Sequence, residues 1–190
     1  MMNARRLGLL TLLALALVGA AACKFYETDK ANKLVEAANA SITEANNKWQ
    51  SGTSKLDQMQ DAALKVEDED EAGLAKVRGD AKAVIADLEK ARDGFTDGGN
   101  KFLEAAKMKV PDKLKEYWEA KGQEMKKRGE QATALLADPQ ALLDSQNRED
   151  YKAKAVEAEK KFQTIKKEAD DLETKANKIY EDNKAMFKQS

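Results

Sequence analysis

The stretch TDKANKLVEAANASITEANNKWQ, Thr28 to Gln50, decides the fold of this chain of 190 residues. Its spacing between apolar or small residues alternates between four and three, which is the heptad rhythm of a helix with one buried face. Such a helix is not stable alone in water and must pack its apolar face against other helices. The residues in this rhythm are Ala31, Val35, Ala38, Ile42, Ala45 and Trp49.

The same rhythm recurs along the rest of the chain and predicts further helices. The sequence SGT, Ser51 to Thr53, predicts the end of the first helix, and a long helix is expected over residues 54–109. Pro111 marks the next boundary, because proline suits the first turn of a helix and disfavours helix in the residue before it. Ala137 to Asn147 is expected to form a loop with room for one helical turn, followed by a final helix from Asn147 to Lys188.

The long helix over 54–109 contains two weak points. The first is the acidic run EDEDE, Glu67 to Glu71, which leads into Gly73. The second is the pair Gly98 and Gly99, where each glycine costs about 1 kcal/mol relative to alanine in a helix. The heptad phase survives both places, so the pattern leaves open whether this helix is continuous or kinked there.

Short connections at Gly52 and Pro111 make successive helices antiparallel neighbours. The sequence therefore predicts an all-α fold over residues 28–190, an elongated antiparallel helical bundle or coiled coil of four to five helices.

The composition excludes several kinds of active site. The chain has no histidine and one cysteine, so it has no Ser-His-Asp triad, no histidine-ligated metal and no internal disulfide. Charged residues make up 35% of the chain, yet the net charge is only -1 and both signs are interleaved, which argues against nucleic-acid binding. We expect no enzymatic activity and no cofactor, and the sequence identifies no small-molecule substrate.

The amino terminus has three consecutive parts. Arg5 and Arg6 precede an uncharged run from Leu7 to Val18, and small residues from Gly19 to Ala22 then lead to Cys23. Leu7 to Ala22 would form a helix of roughly 24 Å, which is shorter than the ~30 Å hydrocarbon core of a bilayer. This arrangement favours a secretory signal over a permanent membrane span.

The sequence Ala20-Ala21-Ala22-Cys23 resembles the lipobox of bacterial lipoproteins, although that family usually has leucine at the first position. The resemblance implies that residues 1–22 are a signal peptide and that Cys23 is lipidated, for example with palmitate. Residues 23–27 would then be a tether for the helical domain. The alternative is an ordinary secretory signal cut nearby, with Cys23 incidental.

The resemblance also implies a location in the bacterial cell envelope, with the membrane as a partner through the N-terminal lipid. Each buried methylene contributes ~0.8 kcal/mol, so two or three acyl chains would hold the protein essentially permanently. Lys24 follows the cysteine. It implies the outer membrane if the organism sorts lipoproteins by the residue after the cysteine.

The charged clusters each have two interpretations. The run Glu67 to Glu71 carries oxygen ligands suited to Ca²⁺ or Mg²⁺, but it lacks the spacing of a calcium-binding loop, so a solvated charge run is the preferred reading. The basic clusters Lys107 to Lys109 and Lys126 to Arg128 are suited to anionic lipid headgroups or polysaccharide phosphates. The interleaved Glu124 and Glu130 favour a plain solvated face instead.

Three further residues are candidates for a structural or a partner-binding role because of their side-chain type. Trp49 and Trp118 lie in apolar phase, so burial is expected, with exposed hot spots for a partner as the alternative. Asn183 is a polar residue in the last apolar seam and is read as a feature of register or of the helix end.

Two functions remain in consideration. The first is a non-enzymatic, lipid-anchored envelope protein that acts as a helical interaction or structural module with an unidentified protein partner. The second is a periplasm-facing, chaperone-like or ligand-binding helical module. An exposed stripe of apolar seam residues would distinguish the two functions, because a client-holding protein needs such a surface and a fully paired bundle lacks it.

Overall fold

A computed structural model of the chain describes residues 27–67, 70–145 and 147–184, and these residues form four helices with no strand among them. The helices are α1 (Thr28–Ala63), α2 (Glu71–Lys107), α3 (Asp112–Asp144) and α4 (Arg148–Asp182). None of these four helices is long and apolar enough to cross a membrane.

Each helix packs along the next one in the chain, and the described residues form an all-α helical bundle. The contacts are antiparallel: Ile42 of α1 lies beside Gly98 of α2, whereas Gly52 lies beside Leu88. Helix α1 meets α3 only marginally, and α4 packs mainly on α3. Successive helices are therefore antiparallel neighbours in the described residues, and the predicted connection at Pro111 is present, whereas the predicted connection at Gly52 is wrong.

The heptad rhythm from Thr28 to Gln50 is confirmed as the buried face of α1. All six predicted seam residues between Thr28 and Gln50 are buried, and the seam continues to Met59. Two aromatic contacts extend it across the bundle. The Trp49 ring lies 6.3 Å from Phe95 of α2, edge to face, and 6.3 Å from Phe162 of α4 in a stacked arrangement.

The predicted end of the first helix at Ser51 to Thr53 is wrong. Helix α1 runs through Gly52 to Ala63. A Cβ at Gly52 would lie 2.8 Å from Cδ2 of Leu88, so this glycine lets α2 approach closely and does not break the helix.

The predicted long helix over 54–109 is also wrong, because the chain turns at its acidic run. Helix α1 ends at Ala63 and α2 begins at Glu71, with the Asp70 carboxylate accepting a hydrogen bond from the Gly73 backbone N–H at 2.9 Å. This is an ordinary N-cap, which satisfies one of the free amides at a helix start. Gly98 and Gly99, in contrast, lie within continuous helix.

The loop predicted from Ala137 to Asn147 is mostly helical. Helix α3 continues to Asp144 with Pro139 inside it, and α4 begins at Arg148 after an Asn147 cap. Proline removes one backbone hydrogen bond from a helix interior. Here the ring is fully buried in the bundle, and its packing opposes that loss. Residues 185–188, the end of the predicted last helix, lie outside the described residues.

Helices α1 and α2 are joined by a buried carboxylate. Asp87 of α2 is 7% exposed and accepts hydrogen bonds from Ser51 at 2.8 Å, Lys55 at 2.5 Å and Lys48 at 3.4 Å, all on α1. The Lys55 ammonium is the largest cause of a pKa of about 2 for this carboxyl, well below its ordinary value of 3.8. Three donors on one helix thus fix its register against the other.

Helices α2 and α3 meet through two glycines. A Cβ at Gly99 would lie 2.9 Å from the Gly122 carbonyl oxygen, and a Cβ at Gly122 would lie 3.0 Å from that of Gly99. The close atoms belong to the backbone and cannot rotate away. Only glycine at both positions permits this separation of the two helices.

Gly99→Ala is therefore expected to destabilise the bundle by about 1 to 3 kcal/mol, because overpacking against backbone outweighs the gain in helix propensity. The matched control is Gly79→Ala on the exposed side of α2, where an added Cβ meets nothing within 4 Å. That change is expected to stabilise by up to about 1 kcal/mol. Urea unfolding measures both; two stabilised variants would contradict the close contact.

Asp87→Asn should lower the free energy of unfolding by roughly 2 kcal/mol near neutral pH, since each pKa unit corresponds to about 1.4 kcal/mol. A depressed carboxyl pKa contributes stability above the unfolded value of 3.8, and this is lost as pH falls through about 2. The difference between wild type and variant should shrink over that window. Asp93→Asn, at an exposed position on the same helix, is the control; an equal effect there would refute the assignment.

Candidate functional site

Helix α3 buries two faces, and the second one is polar. Sixteen of its residues are buried, compared with five on α4. One face packs against α2. The other face packs against α4 and, at Asp138, contacts Gln60 near the C-terminal end of α1. We call this second face the polar seam; its residues are Tyr117, Lys121, Glu124, Arg128, Gln131 and Asp138.

Glu124 lies at the centre of the polar seam with 0% of its surface exposed. Its Oε2 atom pairs with the Lys121 ammonium at 2.6 Å, while Oε1 has no protein partner. Burial raises the pKa of this carboxyl, and the nearby lysine opposes that rise. Burial, and to a lesser extent the same carboxylate, raises the pKa of Tyr117.

Arg128 connects the polar seam to α4. One terminal nitrogen lies 3.0 Å from Asp170, and the other lies 2.9 Å from Glu173. The first nitrogen also donates to the Gln131 side-chain oxygen at 3.2 Å. A planar guanidinium suits two acceptors at fixed positions, so Arg128 sets the rotation and height of α4 on α3.

Asp138 joins three helices at the other end of the polar seam. Its carboxylate accepts hydrogen bonds from the Gln60 amide of α1 at 2.5 Å and the Tyr151 hydroxyl of α4 at 2.9 Å. Burial raises the pKa of Asp138, and these two donors oppose the rise. Burial and the adjacent carboxyl also raise the pKa of Tyr151.

Several buried polar atoms along this junction lack a protein partner. They are Oε1 of Glu124, Nε of Arg128 and Nε2 of Gln131. Unpaired polar atoms in an interior are costly and weaken the packing around them. The polar seam therefore orients α4 more than it adds stability to the bundle.

The predicted solvated face at Lys126 to Arg128 is partly wrong. Lys126 is exposed, and Lys127 forms ion pairs with Glu130 at 2.6 Å and Glu168 at 2.9 Å. Arg128 is buried, as is Glu124, which had been expected on the solvated face. The cause is the central position of α3, which brings this charged side against α4.

The other predicted site residues lie at separate places. Cys23 is outside the described residues. Trp49 and Trp118 are both buried, so the expectation of burial is confirmed. Asn183 caps the end of α4, where its side-chain amide donates to the Ile179 carbonyl at 2.8 Å, consistent with a helix-end feature.

The two remaining charged clusters lie at opposite ends of the bundle. The acidic run occupies the connection from α1 to α2, although Asp68 and Glu69 lie outside the described residues. Among the residues that the structure does describe, no group of three or more carboxylates or thiols is placed to hold a metal ion. Lys107 to Lys109 end α2 at the opposite end of the bundle.

A small pocket of about 60 Å³ opens beside the acidic run. Its walls are largely apolar and include Val66, Leu74 and Leu142, with Arg148 at the side. Arg148 donates a hydrogen bond to the Val66 carbonyl. This volume holds only a few water molecules.

No protein-family model, no curated protein and no solved structure matches this chain.

Arg128→Ala is expected to lower the free energy of unfolding by about 2 to 3 kcal/mol, because it leaves Asp170 and Glu173 without their buried cation. Lys126→Ala, two residues away and exposed, should change it by no more than about 0.5 kcal/mol. Thermal or urea unfolding followed by circular dichroism compares the two variants. Equal, small effects would mean that Arg128 does not hold α4.

Proposed function

We propose that this chain is a non-enzymatic, lipid-anchored protein of the bacterial cell envelope that acts as a helical interaction or structural module. The observation that carries the proposal is the position of Cys23. The chain's single cysteine follows directly after an apolar run and three alanines, at the end of a segment too short to span a bilayer.

The remaining chemistry of the chain supports a lipid as the partner of Cys23. The sequence contains no histidine and no second thiol that would activate this cysteine or share a metal with it. Among the described carboxyls, the pKa is raised at Glu124 and Asp138, which are buried between helices, and at the exposed Asp57, through partial desolvation and the nearby Asp61. Buried carboxyls of this kind are out of reach of a dissolved substrate.

The burial of the apolar residues supports a paired module over a client holder. In the described part of the chain, the exposed large apolar side chains are Leu64 at 49% and Val156 at 57%, on α1's C-cap and on α4. These two side chains lie on different elements of the structure and do not form a continuous exposed apolar surface. The small pocket beside Arg148 favours the alternative, a chaperone-like or ligand-binding module.

The finer architecture is part of the same proposal. The alternation of three and four along α1 suits coiled-coil packing of an elongated bundle, which would act as a rod of ~54 Å projecting from a membrane. Lys24 supports the outer membrane where lipoproteins are sorted by the residue after the cysteine.

Cys23→Ser should abolish incorporation of labelled palmitate and move the protein from the detergent phase to the aqueous phase. The thiol is the proposed attachment point, and no other cysteine replaces it. Lys24→Ser is the matched control and should keep both label and detergent partitioning. Persistence of label and membrane association in Cys23→Ser would refute the anchor.

A further inference from the structure

The amino-terminal side of α1 is fixed to the connection between α2 and α3. The Glu27 backbone N–H donates to the Lys109 carbonyl at 2.8 Å, and the Lys109 N–H donates to the Glu27 carboxylate at 3.4 Å. The second of these hydrogen bonds is the largest cause of the lowered pKa of Glu27. The point where the chain enters the bundle therefore lies beside Lys109.

This contact limits the distance between Cys23 and the bundle. Glu27 is the fourth residue after Cys23, with three residues between them, and an extended chain covers at most about 3.6 Å per residue. Whatever conformation the intervening residues take, Cys23 lies within roughly 14 Å of Glu27. A lipid on Cys23 would keep this end of the bundle near the bilayer surface.

The two ends of the bundle differ in charge. The near end, residues 27–34, 100–119 and 175–184, carries ten basic and eight acidic side chains. The far end, residues 57–67, 70–80, 137–145 and 147–154, carries six basic and ten acidic ones. The net charges are thus 10 − 8 = +2 at the near end and 6 − 10 = −4 at the far end.

We propose that the near end of the bundle contacts anionic lipid headgroups, with Lys107 and Lys109 at the contact. This inference rests on the proposed function, because the lipid on Cys23 supplies the proximity. Basic side chains are attracted to an anionic leaflet within about one Debye length, ~8 to 10 Å at moderate salt. Both lysines are exposed, and Lys109 lies directly at the entry point of the chain.

The charge difference also orients the rod. A negative far end is repelled by an anionic surface while the near end is attracted, so the helices stand away from the bilayer. The far end, with the acidic run and Leu64, then becomes the part presented to other proteins.

The two tryptophans lie at different distances from the near end, so energy transfer from each to the lipid headgroups reports on this contact. Trp118 lies six residues into α3, roughly 9 Å from the near end, whereas Trp49 lies 21 residues along α1, roughly 32 Å from it. The lipidated protein, which begins at Cys23 under the proposed function, is reconstituted as a Trp49→Phe or a Trp118→Phe variant, each with one tryptophan. Vesicles are phosphatidylcholine alone or equimolar phosphatidylcholine and phosphatidylglycerol, with a dansyl headgroup as energy acceptor.

Energy transfer from Trp118 should be higher in the anionic vesicles than in the neutral ones, and high salt should remove this difference. Transfer from Trp49 should be weak in both. Reversing two charges in Lys107→Glu/Lys109→Glu should abolish the anionic preference. The matched control Lys82→Glu/Lys90→Glu changes the net charge equally at exposed sites elsewhere on α2 and should retain it.

The outcomes separate the two proposals. Loss of the protein from both kinds of vesicle refutes the lipid anchor. Retention on both, with equal Trp118 transfer in neutral and anionic lipid, refutes the headgroup contact and leaves the anchor standing. An equal loss of the anionic preference in both double variants also overturns the headgroup contact. So does salt-sensitive binding to a soluble phosphorylated polysaccharide without any salt-sensitive response to the anionic vesicles.

Discussion

The close approach of α2 to both of its neighbours is the contact on which the rest of the bundle depends. Gly94 and Gly98 face α1, and Gly99 faces the Gly122 backbone of α3. With so little side chain between the helices, small seam residues such as Ala91 and Ala105 are enough to fill the core. The α1–α2–α3 unit is thin because its separations are set by backbone, and Asp87 fixes the register of its first pair.

Helix α4 is held by a different kind of interface. It buries five residues, whereas α2 buries twelve, and its links to α3 include the ion pairs of Arg128 and the hydrogen bond to Asp138. Buried charges of this kind specify position more than they stabilise, because their desolvation offsets much of the attraction. The Trp49–Phe162 stack is the apolar link from α4 to α1. A stable three-helix unit thus carries a fourth helix whose placement is set by polar groups.

The heptad pattern predicted the all-α fold and the α1 seam because a periodic apolar face has one way to be buried in water. The helix ends predicted at Gly52 and around Pro139 are wrong, since a sequence does not reveal when a neighbouring helix requires a glycine or buries a proline ring.

The turn at the acidic run was not predicted, for a related reason. The heptad phase continues in the sequence from Val66 to Val77, although repulsion between neighbouring carboxylates and the Asp70 cap favour a break between Ala63 and Glu71. Glu124 and Arg128 looked solvated because charge alone says nothing of a second buried face. Their spacing with Tyr117 and Lys121, again three and four, was the available signal. Cys23 stays a prediction.

Amide hydrogen exchange of the whole chain, resolved by helix, tests most directly whether α4 is held less firmly than the α1–α2–α3 unit. Exchange tracks local opening, and helices with few buried side chains and polar interfaces open at lower free energy. The middle of α2 should exchange slowest, with α1 and α3 next, and α4 should exchange faster than all three under native conditions. Protection of α4 equal to that of α2 would contradict the division and would mean that the bundle opens only as one cooperative unit.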